Sequence, residues 1–307
     1  MAEQCLPVAP ARLRRGEGSI IAATFNGDLV RLHPDTFEIV EGPARPFPGS
    51  IEMLTICGDD IVGFWIDNEM AIGRMAWLDG TKGIVDGVPR DKLRKWMLTR
   101  QQPVPHVEGA RWSRAIDRLP LAMTEYQDSV VFALDGLGVY CIDSDGTELW
   151  RAALPTWKEF NDLKFGGEPA VLVSYQQFIR VWSIAGGWID LDDAGVTVGE
   201  GIIDSPDKLL GAWWHDEGGW MLTFANGDIC HVDDEGCEWR HTSKGPAQCA
   251  VWLNGRWHIA GWRELIVVHG QSALRIDHSE VVIGFICSSE ENYAVDNQGS
   301  LIPIARE

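Results

Sequence analysis

Residues 219–241 decide how this chain folds: GWMLTF (219–224), Ala225-Asn226-Gly227, DICHV (228–232), an acidic turn, then CEWRH (237–241). Two alternating apolar runs joined through Asn-Gly signal a hairpin, because both turn residues tolerate positive φ and so match the twist of the flanking strands. A second tight turn and a third short run extend the hairpin into a small antiparallel sheet. The same arrangement recurs upstream. Residues 129–151 read SVVFAL, Asp135-Gly136-Leu137-Gly138, VYCID, Ser144-Asp145-Gly146, TELWR. Near the start, SIIAATF (19–25) is followed by Asn26-Gly27, LVRL and a His33-Pro34-Asp35 turn.

Central turns of this kind fall near residues 26, 67, 135, 176, 226, 262 and 297, with gaps of 41, 68, 41, 50, 36 and 35. The gap that wraps from the last turn through the termini to the first is 36. A period of about 40–45 residues built from roughly four short strands is the repeat of a β-propeller blade. The expectation is an all-β chain, a single seven-bladed β-propeller domain spanning 1–307. Radial closure also leaves only short sheet edges, where an open sheet of this size would expose long ones. The last unit is one strand short after SLIPIA (300–305), so Cys5–Leu13 is expected to supply an outer strand and latch the ring. Its two prolines suit an edge position. The alternative is that it forms the inner strand of blade 1.

Blades 3 and 5 agree residue by residue. Gly138, Cys141, Asp145, Trp150 and Arg151 recur, displaced by 89, as Gly227, Cys230, Asp234, Trp239 and Arg240. The segment VYCIDSDGTELWR (139–151) resembles the repeat of quinoprotein-type propellers. Phe178-Ile179-Arg180-Val181-Trp182-Ser183 is similar to the closing strand of a WD40 repeat, with Ser183 at the usual Asp. The chain has no Trp-Asp dipeptide and no Gly-His blade opening. The resemblance therefore implies a WD40-like or quinoprotein-repeat-like propeller at the level of fold. It carries over no cofactor site, because no ligand set can be placed.

Composition agrees: 33 Gly, 15 Pro and 15 Trp in 307 residues suit many turns and flat aromatic packing. With 26 basic and 45 acidic residues the formal charge is -19, which as a whole repels nucleic-acid backbone and anionic lipid. Seven cysteines at irregular spacing, without a CxxC pair, predict buried unpaired thiols and a reducing, cytoplasmic setting. The first eighteen residues lack a signal-like apolar region, and no apolar stretch approaches twenty residues, so no membrane association is expected.

The 68-residue gap marks an insertion at about 79–118, expected as a basic, partly helical loop between blades 2 and 3. It carries Lys82, Arg90, Lys92, Arg94, Lys95, Arg100, Arg111, Arg114 and Arg118 against Asp86, Asp91, Glu108 and Asp117. With Asp79 at its first position these fourteen charges sum to +4, leaving -23 on the remainder. Pro89-Arg90-Asp91 followed by KLRKWMLTR predicts a short helix with Leu93, Trp96 and Met97 on one face. Loops are where propellers build binding sites. The candidate partner-binding residues are Lys92, Arg94, Lys95, Trp96, Arg100, Arg111, Trp112 and Arg114. They could grip one or more proteins with an acidic docking surface, or fold back onto the chain's own acidic body. Nucleic-acid contact, if any, is confined to this insertion.

Catalytic patterns are missing: there is no GxSxG, P-loop, HExxH or dinucleotide-binding glycine motif. Cys230, His231, Cys237 and His241 are zinc-ligand types, but adjacent strand residues point to opposite faces and cannot easily converge. Asp190–Asp193 and Asp233-Asp234-Glu235 lack calcium-loop spacing and read as turns whose carboxylates bond their own backbone. The run Trp213-Trp214-His215-Asp216-Glu217-Gly218-Gly219-Trp220 alternates in a strand, so one of Trp213 and Trp214 should be buried; the run reads first as structural packing, with a stacking platform for sugars or peptides as the alternative. Inner-strand candidates IEMLTI, LPLAMTEY, LLGAWWH, AQCAVWL and VVIGFIC bring only Glu52, Glu125 and His215 to the axis. The expected function is a non-enzymatic interaction scaffold or regulatory subunit of a multi-protein complex, with no metal or cofactor. The alternative is a hydrolase- or lyase-like propeller enzyme with its site in the central channel.

Overall fold

The computed structural model describes residues 4–99, 105–153, 169–175, 177–183, 188–193, 195–199, 207–233, 236–288 and 291–304. Seven antiparallel sheets follow one another along the chain. Blade 1 is β1 (Pro10–Arg15), β2 (Ile20–Thr24), β3 (Leu29–Leu32) and β4 (Ile39–Ala44). Blade 2 is β5 (Ser50–Cys57), β6 (Asp60–Asp67), β7 (Ile72–Leu78) and β8 (Ala110–Ile116). Blade 3 is β9 (Pro120–Tyr126), β10 (Ser129–Leu134), β11 (Gly138–Asp143) and β12 (Glu148–Ala152). Blade 4 is β13 (Pro169–Tyr175), β14 (Phe178–Ser183), β15 (Trp188–Asp192) and β16 (Gly195–Gly199). Blade 5 is β17 (Leu209–His215), β18 (Gly219–Phe224), β19 (Asp228–Asp233) and β20 (Gly236–Thr242). Blade 6 is β21 (Cys249–Leu253), β22 (Arg256–Gly261), β23 (Glu264–His269) and β24 (Ser272–Asp277). Blade 7 is β25 (Val282–Cys287), β26 (Asn292–Asp296) and β27 (Leu301–Pro303).

The seven-bladed propeller is thus present, and the first strand of each blade faces its neighbours around a closed ring, β25 lying beside β1. Second strands bury both faces, since each blade is sandwiched between two others; every residue of Ser129–Leu134 is buried. The cores accordingly lie between blades. Ile21, Ala23 and Leu29 pack with Trp65 and Ile72 across blades 1 and 2, and Trp182 packs with Trp220 and Phe224 across blades 4 and 5.

The Asn-Gly turns form as expected. Gly27 has φ 84°, and a methyl there would stand 2.3 Å from the Gly49 carbonyl oxygen, so the turn needs glycine twice over. Six of the seven central turns join second to third strands. Position 176 instead lies between the first and second strands of blade 4; residues 184–187, between its second and third strands, lie outside the described residues. Phe178–Ser183 is correspondingly the second strand of its blade and not the closing one.

Both readings of the N-terminus hold, for successive segments. Cys5 bridges Ser300, Leu6 N–H donates to Gly299 O at 2.8 Å, and Leu301 N–H donates to Gln4 O at 2.9 Å. Residues 4–6 therefore complete blade 7 from outside, while Pro10–Arg15 turns inward as the first strand of blade 1. Leu6, 5% exposed, joins a core with Leu13, Val295 and Leu301. Replacing Leu6 with Ala should lower unfolding free energy by about 2 kcal/mol, read as an earlier urea midpoint. An unchanged midpoint would show that the latch adds nothing.

Among the described residues the insertion carries one helix, α1 (Arg90–Thr99), close to the junction of blades 2 and 3 in sequence. It leaves the end of β7 and returns to β8, so Ala110–Ile116 of the expected loop is the outer strand of blade 2. Leu93 is fully buried and Trp96 half-buried against the core of blades 1 and 2, whereas Met97 is exposed. Cys5, Cys57, Cys141, Cys249 and Cys287 are free thiols. Cys230 is disulfide-bonded, a departure from the expectation that all seven are unpaired.

Candidate docking face and central channel

Strand register gives the ring two unlike ends. One collects the turns between second and third strands together with the links between blades. Helix α1 sits at this end, because Arg90 Nε donates to Asp67 Oδ2 at 2.9 Å and Arg90 Nη2 to Glu69 Oε2 at 2.6 Å, both beside the β6–β7 turn. The insertion reaches it by running past blade 1, where Arg45 N–H donates to Asp86 Oδ1 at 2.8 Å and Glu108 N–H to Pro46 O at 3.0 Å.

This α1 face is studded with apolar side chains. Of the thirteen exposed large hydrophobics among the described residues, seven lie here: Phe25, Met97, Leu98, Leu119, Leu137, Leu210 and Trp262. Leu98 is 81% exposed and Phe25 68%. Most of the others stand on the outermost strands β4, β12 and β24, so the clustering belongs to this end of the ring. Scattered apolar side chains need no explanation, but a set gathered on one face marks a candidate contact surface. The opposite end is acidic: six of the seven blades place exposed carboxylates in its turns, among them Asp35, Asp59, Asp128, Asp193, Asp216 and Glu291.

The eight candidate partner-binding residues divide between these ends. Lys92, Arg94 and Lys95 are exposed on α1, while the insertion's ion pairs among the described residues involve Lys82, Arg90 and Arg111. Trp96 faces inward and Arg100 lies outside the described residues. Arg111 pairs with Asp60 at 3.1 Å and Asp79 at 3.5 Å. Trp112 Nε1 donates to Ser144 O at 3.1 Å, its ring tilted against Trp77 at 6.3 Å. Arg114 donates to Gly146 O and holds its guanidinium 5.4 Å from the Trp112 ring centre. The β8 trio thus ties blade 2 to itself and to blade 3, while Lys92, Arg94 and Lys95 of the helix face solvent.

The central channel encloses about 910 Å³. Arg12 and Arg14 line it beside Glu52, Glu125 and His215; the arginines were missed because β1 reads equally well as an outer strand. Its charged groups hold one another and the strands. Thr55 Oγ1 donates to Glu125 Oε2 at 2.6 Å and Ser50 Oγ to Glu52 Oε1 at 2.8 Å. Arg12 Nε donates to Ile51 O at 2.9 Å and Arg14 Nε to Leu54 O at 3.1 Å, stitching β1 to β5. Burial raises the pKa of the channel thiol Cys249, keeping it protonated and a poor nucleophile near neutrality. At the end of β5 in blade 2 the Cys57 thiol is pushed up to about 12, mainly by burial.

Among the described residues no three His, Cys, Asp or Glu side chains are placed to hold a metal ion. Of the zinc-type residues, Cys230 is disulfide-bonded and His231 Nε2 lies 2.7 Å from Gly218 O. Within the same residues no helix is long and apolar enough to cross a membrane.

No family model matches the chain, and no curated protein matches it in sequence. Solved structures do. The Cps50 (Swd1) β-propeller domain of Myceliophteria thermophila superimposes with a TM-score of 0.66 at 11% identity, covering 96% of this chain and 95% of that one. The WD40 β-propeller domain of Doa1 gives 0.62 at 10%, covering 99% and 95%. BBS1N, solved in complex with ARL6DN, gives 0.63 at 9%, covering 98% and 93%. The chain has the fold of WD40-type β-propellers.

Proposed function

We propose that the whole chain, 1–307, is one propeller domain acting as a non-enzymatic scaffold or regulatory subunit of a multi-protein complex, and that the α1 face receives a partner with an acidic, apolar-studded surface. The observation that carries this reading is the juxtaposition on α1 of exposed Leu98 with the solvent-facing cations Lys92, Arg94 and Lys95, on a protein of charge -19. Similarity to a propeller solved in complex with another protein supports it as analogy of fold. A cytoplasmic setting rests on five free thiols against one disulfide-bonded cysteine among the described residues, and counting alkylatable thiols in protein from native cells tests it.

The test reverses Lys92, Arg94 and Lys95 to Glu together. Exposed substitutions of this kind cost within about 0.5 kcal/mol each, so the ring should stay folded. Association with the companion protein recovered from native cells should slow at least tenfold at low salt, because attraction becomes repulsion at each contact. A variant that melts several degrees early yet keeps its companions would show instead that the helix serves its own acidic body.

A further inference from the structure

At the acidic end of the ring, between blades 5 and 6, lies a second pocket of about 460 Å³ that is independent of the α1 face. Trp214, Trp239, Trp252 and Trp257 line it, with Asp216 and Glu217 in the β17–β18 turn at its rim. The indole N–H groups are largely committed. Trp214 Nε1 donates to Asp216 Oδ1 at 3.2 Å, Trp252 Nε1 to Glu217 Oε2 at 3.4 Å and Trp257 Nε1 to Gly218 O at 2.9 Å. The rings are fixed by their neighbours: Trp252 meets Trp257 edge-on at 5.6 Å, and Trp239 stacks on His231 at 5.1 Å. Gly218 allows this closeness, since a methyl there would come within 2.6 Å of the Trp252 ring.

The geometry points to a binding site for an organic cation of the methylated-ammonium type. Aromatic faces attract a cation through the ring quadrupole, most strongly for tryptophan. Two rim carboxylates, each anchored to a pocket indole, add negative potential and polarise the N–H groups they accept from, which enriches the ring faces. A methylated ammonium is weakly hydrated and donates few hydrogen bonds or none, so it loses little on leaving water for rings whose N–H groups are already engaged. A sugar would find few free donors there. The acidic turns of the neighbouring blades raise the local concentration of any cation approaching this end.

Tetramethylammonium, choline and an acetylated trimethyllysine amide are titrated into the full chain, followed by tryptophan emission and indole N–H resonances at constant ionic strength. Saturable binding is expected, weakened at least fivefold by Glu217→Gln with Asp216→Asn and by Trp252→Phe. The neutral isostere 3,3-dimethylbutanol should bind at least tenfold more weakly than choline. Tighter choline than trimethyllysine amide identifies a free small molecule as the source, and the reverse order a modified side chain; either supports the site. Equal binding of the isostere, saturation by a disaccharide but not by tetramethylammonium, or cation binding unaffected by these variants overturns it. Loss of the α1-face complex bears on none of these readouts.

Discussion

Replacing Asp190 with Ala should lower the unfolding free energy by about 3–5 kcal/mol, the penalty of leaving a buried charge without its partner. Arg180, whose side chain is 10% exposed, donates from Nε to Asp190 Oδ1 at 2.8 Å and from Nη2 to Asp190 Oδ2 at 2.9 Å. Four rings surround its guanidinium: Tyr175 at 4.8 Å, Trp188 at 4.9 Å, Trp220 at 5.2 Å and Trp182 at 5.7 Å. Trp220 comes from blade 5, so the cluster sits on a seam of the ring. The aromatic faces hold the cation but cannot replace a bidentate carboxylate in a setting that excludes water. Joining Arg180→Met to Asp190→Ala removes the charge with its counter-charge and should recover most of the loss. Urea midpoints of the three proteins check this; a single variant within about 1 kcal/mol of wild type would refute it.

The second large effect is on pH dependence. His258 is 5% exposed, and burial, followed by the nearby Arg256, pushes its pKa down to about 4. An unfolded chain takes up that proton near pH 6.5. Between these values the unfolded state binds a proton that the folded state refuses, so stability present at neutral pH is lost as pH falls from about 6.5 towards 4. The full difference amounts to roughly 3 kcal/mol. His258→Gln, which cannot titrate, should flatten the stability profile over that window relative to wild type. Parallel profiles for the two proteins between pH 4 and 7 would show that His258 is not the group responsible.

Much of this was legible without coordinates. Tight turns such as Asn26-Gly27 and Asn226-Gly227 specify positive φ, and apolar alternation specifies which strand faces are buried, so the blades and their number follow from local patterns repeated seven times. The helix from Arg90 was equally local, signalled by Pro89 and the spacing of Leu93 and Trp96. Cys141 and Cys230 matched across blades 3 and 5 because both stand in third strands.

Other features depended on where turns and strands come to rest in space. Blade 4 was placed one turn early because its first–second turn resembles the others, and only strand pairing separates them. Arg12 and Arg14 became channel residues once β1 paired inward with β2 and left Gln4–Leu6 to latch blade 7. Arg111, Trp112 and Arg114 read as a loop but form an outer strand on the seam with blade 3. Phe25, Leu119, Leu137, Leu210 and Trp262 are far apart in the chain and unremarkable singly; closure of the ring brings them to one end. Local turn chemistry and strand periodicity, carried within ten or so residues, therefore determined the seven-bladed ring. Which face is apolar, which is acidic and what lines the channel depend on contacts between residues tens to hundreds of positions apart, and only the closed tertiary structure decided them.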